Sequence, residues 1–326
     1  MINDKEFLKF DEGYFKTYFE KYIEFKRGKG DKMTRSTLIH LKKLNNMLNS
    51  YQTKQITEQM IQDILAPRDG LSEQERQKMT STLRQFCSFL SLLGETAAAV
   101  PPKYIRSVNC EFRPYIFSDK ELQRLVCAAD SLPEAKRTNA HQQIYPVLVR
   151  ILIGTGMRIG EVLALNRSDV DCSNGVITVI NGKNGVSRNV PVSDSLKRTL
   201  CRYAETIDMS DEDKPFFTSS YTGGHLTYDA VRHMFPKMFA AANIFRADGR
   251  TPNIHSLRHT FCTRSLEKMM DRGMNIYTAI PILAAYVGHV NYIDTEKYIH
   301  LTEQGHNAFI EKESSLGSLF PEVSNE

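Results

Sequence analysis

A stretch with no apolar period divides this sequence. Residues 95–117, ETAAAVPPKYIRSVNCEFRPYIF, hold Pro101, Pro102 and Pro114 and show neither a helical nor a strand repeat. Proline locks φ and lacks an N–H, so such a segment runs as an extended connector. Apolar periodicity resumes on both sides. The expectation is a helical N-terminal domain, 1–94, a linker, 95–117, and a second domain, 118–326. A chain of 326 residues is long enough for two cores.

The N-terminal part reads as four helices. Phe7, Phe10, Tyr14, Phe15, Tyr18, Phe19, Tyr22, Ile23 and Phe25 crowd one amphipathic run. TRSTLIHLKKLNNMLNS follows the GKGDKM break, and TEQMIQDIL ends at Ala66-Pro67. SEQERQKMTSTLRQFCSFLSLLG opens with a Ser-x-x-Glu cap and stops at Gly94. The aromatic stripe reads as core rather than as a platform for stacking bases. Lys26, Arg27, Lys29, Lys32 and Arg35 cluster around the first break, and Lys103 and Arg106 lie in the linker.

Charge is uneven along the chain. The net charge is +4 overall, +5 over residues 1–110 and −4 over 301–326, which leaves +3 between. A basic N-terminal third with an acidic tail suits a nucleic-acid binder, although +5 over such a length is also ordinary for a helical domain. Other classes are disfavoured. No apolar run approaches the ~18 residues of a membrane span. MINDKEFLKFDEGYF is charged and has no apolar core of a signal peptide. The six cysteines are scattered with no Cys-x-x-Cys pair, which points to a reducing cytoplasm and to neither a disulfide framework nor a zinc site.

The second part opens at Ser118-Asp119-Lys120-Glu121, a capping box before an amphipathic helix. IYPVLVRILIGTGMRIGEVLAL (144–165) permits two readings. Gly154, Gly156 and Gly160 are spaced two and four apart, whereas a dinucleotide turn needs two and three. The better reading is a helix, a tight GTG turn and a short helix from Arg158, with Glu161 one turn on. GVITVI and SRNVPV, joined by NGKNGV, read as a β-hairpin with Lys183 in the tip. A lysine there is ordinarily solvated.

HSLRHTF (255–261) follows the breaker-rich RADGRTPN and opens a helix that closes near Gly273. His255 and Arg258 share a face at its first turn. That pair suits an anion, and equally an unremarkable surface helix. NIYTAIPILAAYV ends at Gly288, His289 follows, and Tyr298 comes nine residues later in TEKYIH. His255 and His259 have the spacing of a zinc half-site, but Ser256 stands where a zinc protease has Glu and no third ligand follows, so no metal is expected.

Arg158, Lys183, His255, Arg258, His289 and Tyr298, in that order and spacing, resemble the boxes of the tyrosine recombinases, the phage-integrase family. The resemblance covers roughly residues 5–315. It implies a mainly α fold with a small β-sheet (an α+β catalytic domain), preceded by a helical core-binding domain, the two forming a C-shaped clamp on double-stranded DNA. It implies cutting through a 3′-phosphotyrosine, with neither cofactor nor metal. Tyr298 would be the nucleophile, Arg158, Arg258 and His289 would hold the phosphate oxygens, and Lys183 would protonate the leaving 5′-oxygen. His255 would assist removal of the tyrosine proton and Glu161 would orient an arginine. His259 and Tyr292 would be structural and Tyr286 core. The basic residues named above would bind DNA.

Integration, excision or transposition of a mobile element is the expected role. Resolution of replicon dimers, inversion, type IB topoisomerase activity and a catalytically silent DNA-binding regulator are the alternatives. The 31 residues from Arg258 to His289 exceed the spacing of compact members, so extra turns are expected around 268–280. The N-terminal arm-type domain of many phage integrases is not expected within this sequence. Ala308–Ile310 and Leu316, Leu319 and Phe320 are apolar patches in a polar tail that either packs on its own domain, is disordered or, as the resemblance implies, docks on a neighbouring protomer in a homo-tetramer holding two sites.

Overall fold

The computed structural model describes residues 10–31, 33, 35–67, 72–100, 114–133, 140–180, 182, 185–289 and 298. The chain divides into two compact units, Met1–Phe112 and Arg113–Glu326.

The first unit contains α1 (Lys16–Gly28), α2 (Arg35–Asn49), α3 (Glu58–Leu65) and α4 (Glu73–Leu92). The helix starts follow their caps. The Thr57 hydroxyl accepts from the Met60 N–H, and Ser72 and Glu75 form a reciprocal capping box. Gly94 stops α4 at φ 81, a conformation that costs a side-chain-bearing residue about 1–2 kcal/mol. The aromatic stripe is core: Phe15 and Phe19 are fully enclosed with Leu41, Leu44, Leu83 and Phe86. The Phe19 and Phe86 rings stack with centroids 3.9 Å apart. Tyr14 and Phe25 keep exposed faces, and Phe7 lies outside the described residues.

The stretch 95–117 has structure at both ends. Ala97 bridges Ile56, and Val100 is buried in the first unit's core. Phe117 is buried in the second unit's core. Residues 101–113, with Lys103 and Arg106, lie outside the described residues.

The second unit is mostly helical with one small sheet. Its helices are α5 (Asp119–Asp130), α6 (Ala140–Thr155), α7 (Ile159–Leu163), α8 (Asp194–Ala204), α9 (Tyr228–Ala241), α10 (His255–Asp271) and α11 (Ile276–Val287). The run 144–165 is helix, turn and helix. Tyr145, Leu148, Val149, Ile151 and Leu152 are buried round most of α6, so it sits at the centre, flanked by α5, α8 and α10. The expected hairpin is β2 (Val176–Val179) and β3 (Arg188–Pro191), antiparallel, with Ile177 opposite Val190. A third strand, β1 (Val170–Asp171), pairs with β2 and completes the order β1-β2-β3. β1, α8 and α9 follow no capping or periodic signal drawn from the sequence above.

Residues 268–280, where extra turns were expected, are the end of α10, the turn through Gly273 and the start of α11. Between α10 and α11 lies a second small core of Cys262, Leu266, Ala279, Ile280, Leu283, Val287 and Tyr298. Among the described residues no helix is long and apolar enough to cross a membrane.

Candidate active site

Three arginines meet where the GTG turn approaches the end of α11. Gly156 takes φ 61, and a Cβ there would lie 2.3 Å from the Phe261 ring, so only glycine fits. The turn delivers Arg158 in extended backbone just before α7. Glu161, at N3 of α7, accepts from the Arg158 N–H at 3.1 Å and from its Nη1 at 2.9 Å. Both Nη atoms of Arg158 also donate to the Gly288 carbonyl, at 3.2 and 3.3 Å.

A second arginine on Glu161 was missed. Arg188 Nη2 donates to Glu161 Oε2 at 2.8 Å, and its Nε donates to the Tyr286 carbonyl at 2.9 Å. Strand alternation carried the signal: Arg188 lies two residues before the buried Val190 and so on the same face. Burial alone would raise the Glu161 pKa. The ion pairs from Arg188 and Arg158 outweigh it and hold the carboxyl below its ordinary value.

Arg258 is 2% exposed. Its Nη1 donates to the Gly156 carbonyl and its Nη2 to the Val287 carbonyl, each at 2.8 Å. These bonds tie the GTG turn to the end of α11, so Arg258 braces the site as well as charging it. Burial, then the Arg158 charge, lowers its pKa.

The expected nucleophile is packed against α10. Tyr298 is 4% exposed, within the α10–α11 core. His259 Nδ1 lies 3.0 Å from the Tyr298 hydroxyl. His255 is exposed at the first turn of α10, its ring edge-on to that of His259 with centroids 4.6 Å apart. Cys262 is buried in the same small core as the phenol. His255, His259 and Cys262 project from one helix face at positions i, i+4 and i+7, which the sequence spacing did carry. The His289 ring lies parallel to that of Tyr298, with centroids 6.5 Å apart. Burial, then the Cys262 neighbour, pushes the phenol pKa up, while Arg258 and Arg158 oppose the rise. Burial likewise pushes the Cys262 thiol up to about 11.

Other expected residues stand apart or lie outside the described set. Lys183 is not among the described residues, although Gly182 is: a Cβ there would sit 3.3 Å from Glu161 Oε1. Tyr292 and the tail patches also lie outside. Tyr286 stacks on Phe261, and its hydroxyl donates to the Pro191 carbonyl at 3.0 Å, tying α11 to the sheet. In the first unit Lys26 pairs with Asp31 at 2.8 Å, Lys29 lies over the Phe25 ring and Arg27 is exposed. Arg35 begins α2 with its side chain outside the description, and Lys32 is outside altogether. Among the described residues no cluster of His, Cys, Asp and Glu is suited to a metal.

Comparison with known proteins adds a family. The model of the phage integrase family matches residues 116–305. "Putative integrase/recombinase y4rE" of Sinorhizobium fredii is 32% identical over 237 residues, 71% of this chain and 74% of that one. Tyrosine recombinase XerA of Saccharolobus solfataricus is 31% identical over 221 residues, 67% of each chain. The solved structure of the Tn1549 transposon integrase in complex with transposon right end DNA covers 91% of this chain and 99% of its own, with a TM-score of 0.64. Its 18% identity makes that a likeness of fold.

Proposed function

The chain belongs to the phage integrase family of tyrosine recombinases, DNA breaking-and-rejoining enzymes of site-specific recombination, and from that premise we propose that Tyr298 is its nucleophile. The observation that carries this reading is the Tyr298 phenol held at 3.0 Å by His259, on the same helix as Arg258. The substrate is double-stranded DNA, a reading supported by the Tn1549 integrase solved with transposon right end DNA. Tyr298 attacks the scissile phosphorus and leaves a 3′-phosphotyrosine and a free 5′-hydroxyl. Ligation reverses the step, because the covalent bond keeps the energy of the phosphodiester.

Arg158, Arg258 and His289 supply positive charge and N–H donors where the phosphoryl oxygens gain charge. Lys183 protonates the leaving oxygen, and Gly182 seats its hairpin against Glu161. Arg27, Lys29 and the other basic residues of the N-terminal unit contact backbone phosphates. Integration, excision or transposition of a mobile element is the role we favour. Relaxation of supercoils without strand exchange is the second reading, since the same cut-and-rejoin step serves both.

The test is a nicked suicide duplex that traps the adduct, resolved on a denaturing gel. Wild type forms a covalent complex, and Tyr298→Phe binds the duplex and forms none. An adduct persisting in Tyr298→Phe would move the nucleophile to another tyrosine.

A further inference from the structure

The phenol must lose its proton as it attacks, and its surroundings make that loss costly. Tyr298 is 4% exposed, and burial disfavours a free phenolate. A base in direct contact therefore has to take the proton during the attack, within the usual hydrogen-bond reach of about 2.6–3.2 Å. The His259 Nδ1–Tyr298 Oη distance of 3.0 Å meets that requirement.

We infer that His259 is the group that takes the Tyr298 proton in cleavage and returns it in ligation, a role that rests on Tyr298 being the nucleophile. The Tyr298 O–H bond breaks and an Nδ1–H bond forms. The phenolic oxygen bonds to phosphorus as the bond from phosphorus to the 5′-oxygen breaks, and that oxygen takes its proton from Lys183. Ligation runs each transfer backward. His259 must start as the neutral tautomer with its proton on Nε2, leaving the Nδ1 lone pair for the phenol.

The neighbouring groups fit this assignment. His255 and Cys262 flank His259 on α10, His289 approaches Tyr298 from beyond α11, and Arg258 and Arg158 add positive charge. Cys262 is a poor alternative base, because its buried thiol is held protonated, up to about 11. The two arginines add positive charge beside the phenol, which favours the negative charge it develops during attack.

The experiment is single-turnover adduct formation on the nicked duplex from pH 5 to 9. The wild-type rate should rise through the histidine range, around 6.5, and then level. His259→Asn should bind DNA as wild type does, lose about 10²–10⁴-fold in rate and lose the rise. His259→Ala should regain rate with added imidazole, which a merely structural histidine would not. His255→Asn should keep the rise. The inference is overturned by a flat wild-type profile, or by a slowed His259→Asn that retains the rise with no imidazole rescue of His259→Ala. It is overturned equally if His255→Asn, rather than His259→Asn, abolishes the rise. An adduct in Tyr298→Phe would instead defeat the assignment of the nucleophile.

Discussion

Arg188 on β3 and Glu161 on α7 form a buried ion pair of 2.8 Å. The same carboxylate holds Arg158, so one acidic residue ties the root of the hairpin to the GTG turn. We expect Glu161→Gln to destabilise the fold by about 3–5 kcal/mol, the usual cost of breaking a buried pair. Denaturant unfolding measures it. The folded pKa of Glu161 lies below its unfolded value, so its contribution is complete above the carboxylate range and vanishes as pH falls through the folded value. The gap between wild type and variant should therefore close at acid pH.

Arg158 and Arg258 differ in burial, and their variants should differ accordingly. Each alanine variant should lose about 10²–10³ in adduct formation, the scale of one preorganised oxyanion donor. Arg258→Ala should also lower the melting temperature, because it leaves the Gly156 and Val287 carbonyls without their donor. Lysine should restore either poorly, having no planar fork. Wild-type cleavage by an alanine variant would remove that residue from the site.

Gly288 has no room for a side chain. Its φ is 70, and a Cβ there would lie 2.7 Å from Arg188 Nη1. Gly288→Ala should cost more than the about 1–2 kcal/mol of the left-handed backbone alone. The displaced Arg188 and shifted carbonyl should slow adduct formation while DNA binding survives in a gel shift.

The chemistry proposed for Tyr298 uses side chains alone. Adduct formation should persist in EDTA. Binding should weaken steeply with salt as phosphate contacts release counterions, so log Kd plotted against log salt gives the number of contacts. Loss in EDTA with recovery on adding magnesium would defeat the mechanism.

The tail beyond Tyr298 carries the proposal of assembly. Deletion from residue 303 should leave binding to a single site intact and abolish the complex of two sites and the recombinant product, read on native gels and by product assay. Full recombination by the truncated chain would show that docking on a neighbour is not required.

Elements were legible wherever local chemistry decides them. The capping boxes at Ser72 and Ser118, the stop at Gly94, the αL end of α11 at Gly288 and the β2–β3 alternation each follow from a few neighbouring residues. The order of Arg158, Arg258, His289 and Tyr298 was legible for the same reason, since each box is a local pattern. Only the tertiary structure placed Arg188 on Glu161, buried Arg258 between two carbonyls and set His259 against Tyr298. Those contacts join residues 27, 102 and 39 positions apart, and they depend on how α6, α10, α11 and the sheet pack. Sequence spacing shows which residues share a helix face, but packing selects which of them touches the distant partner.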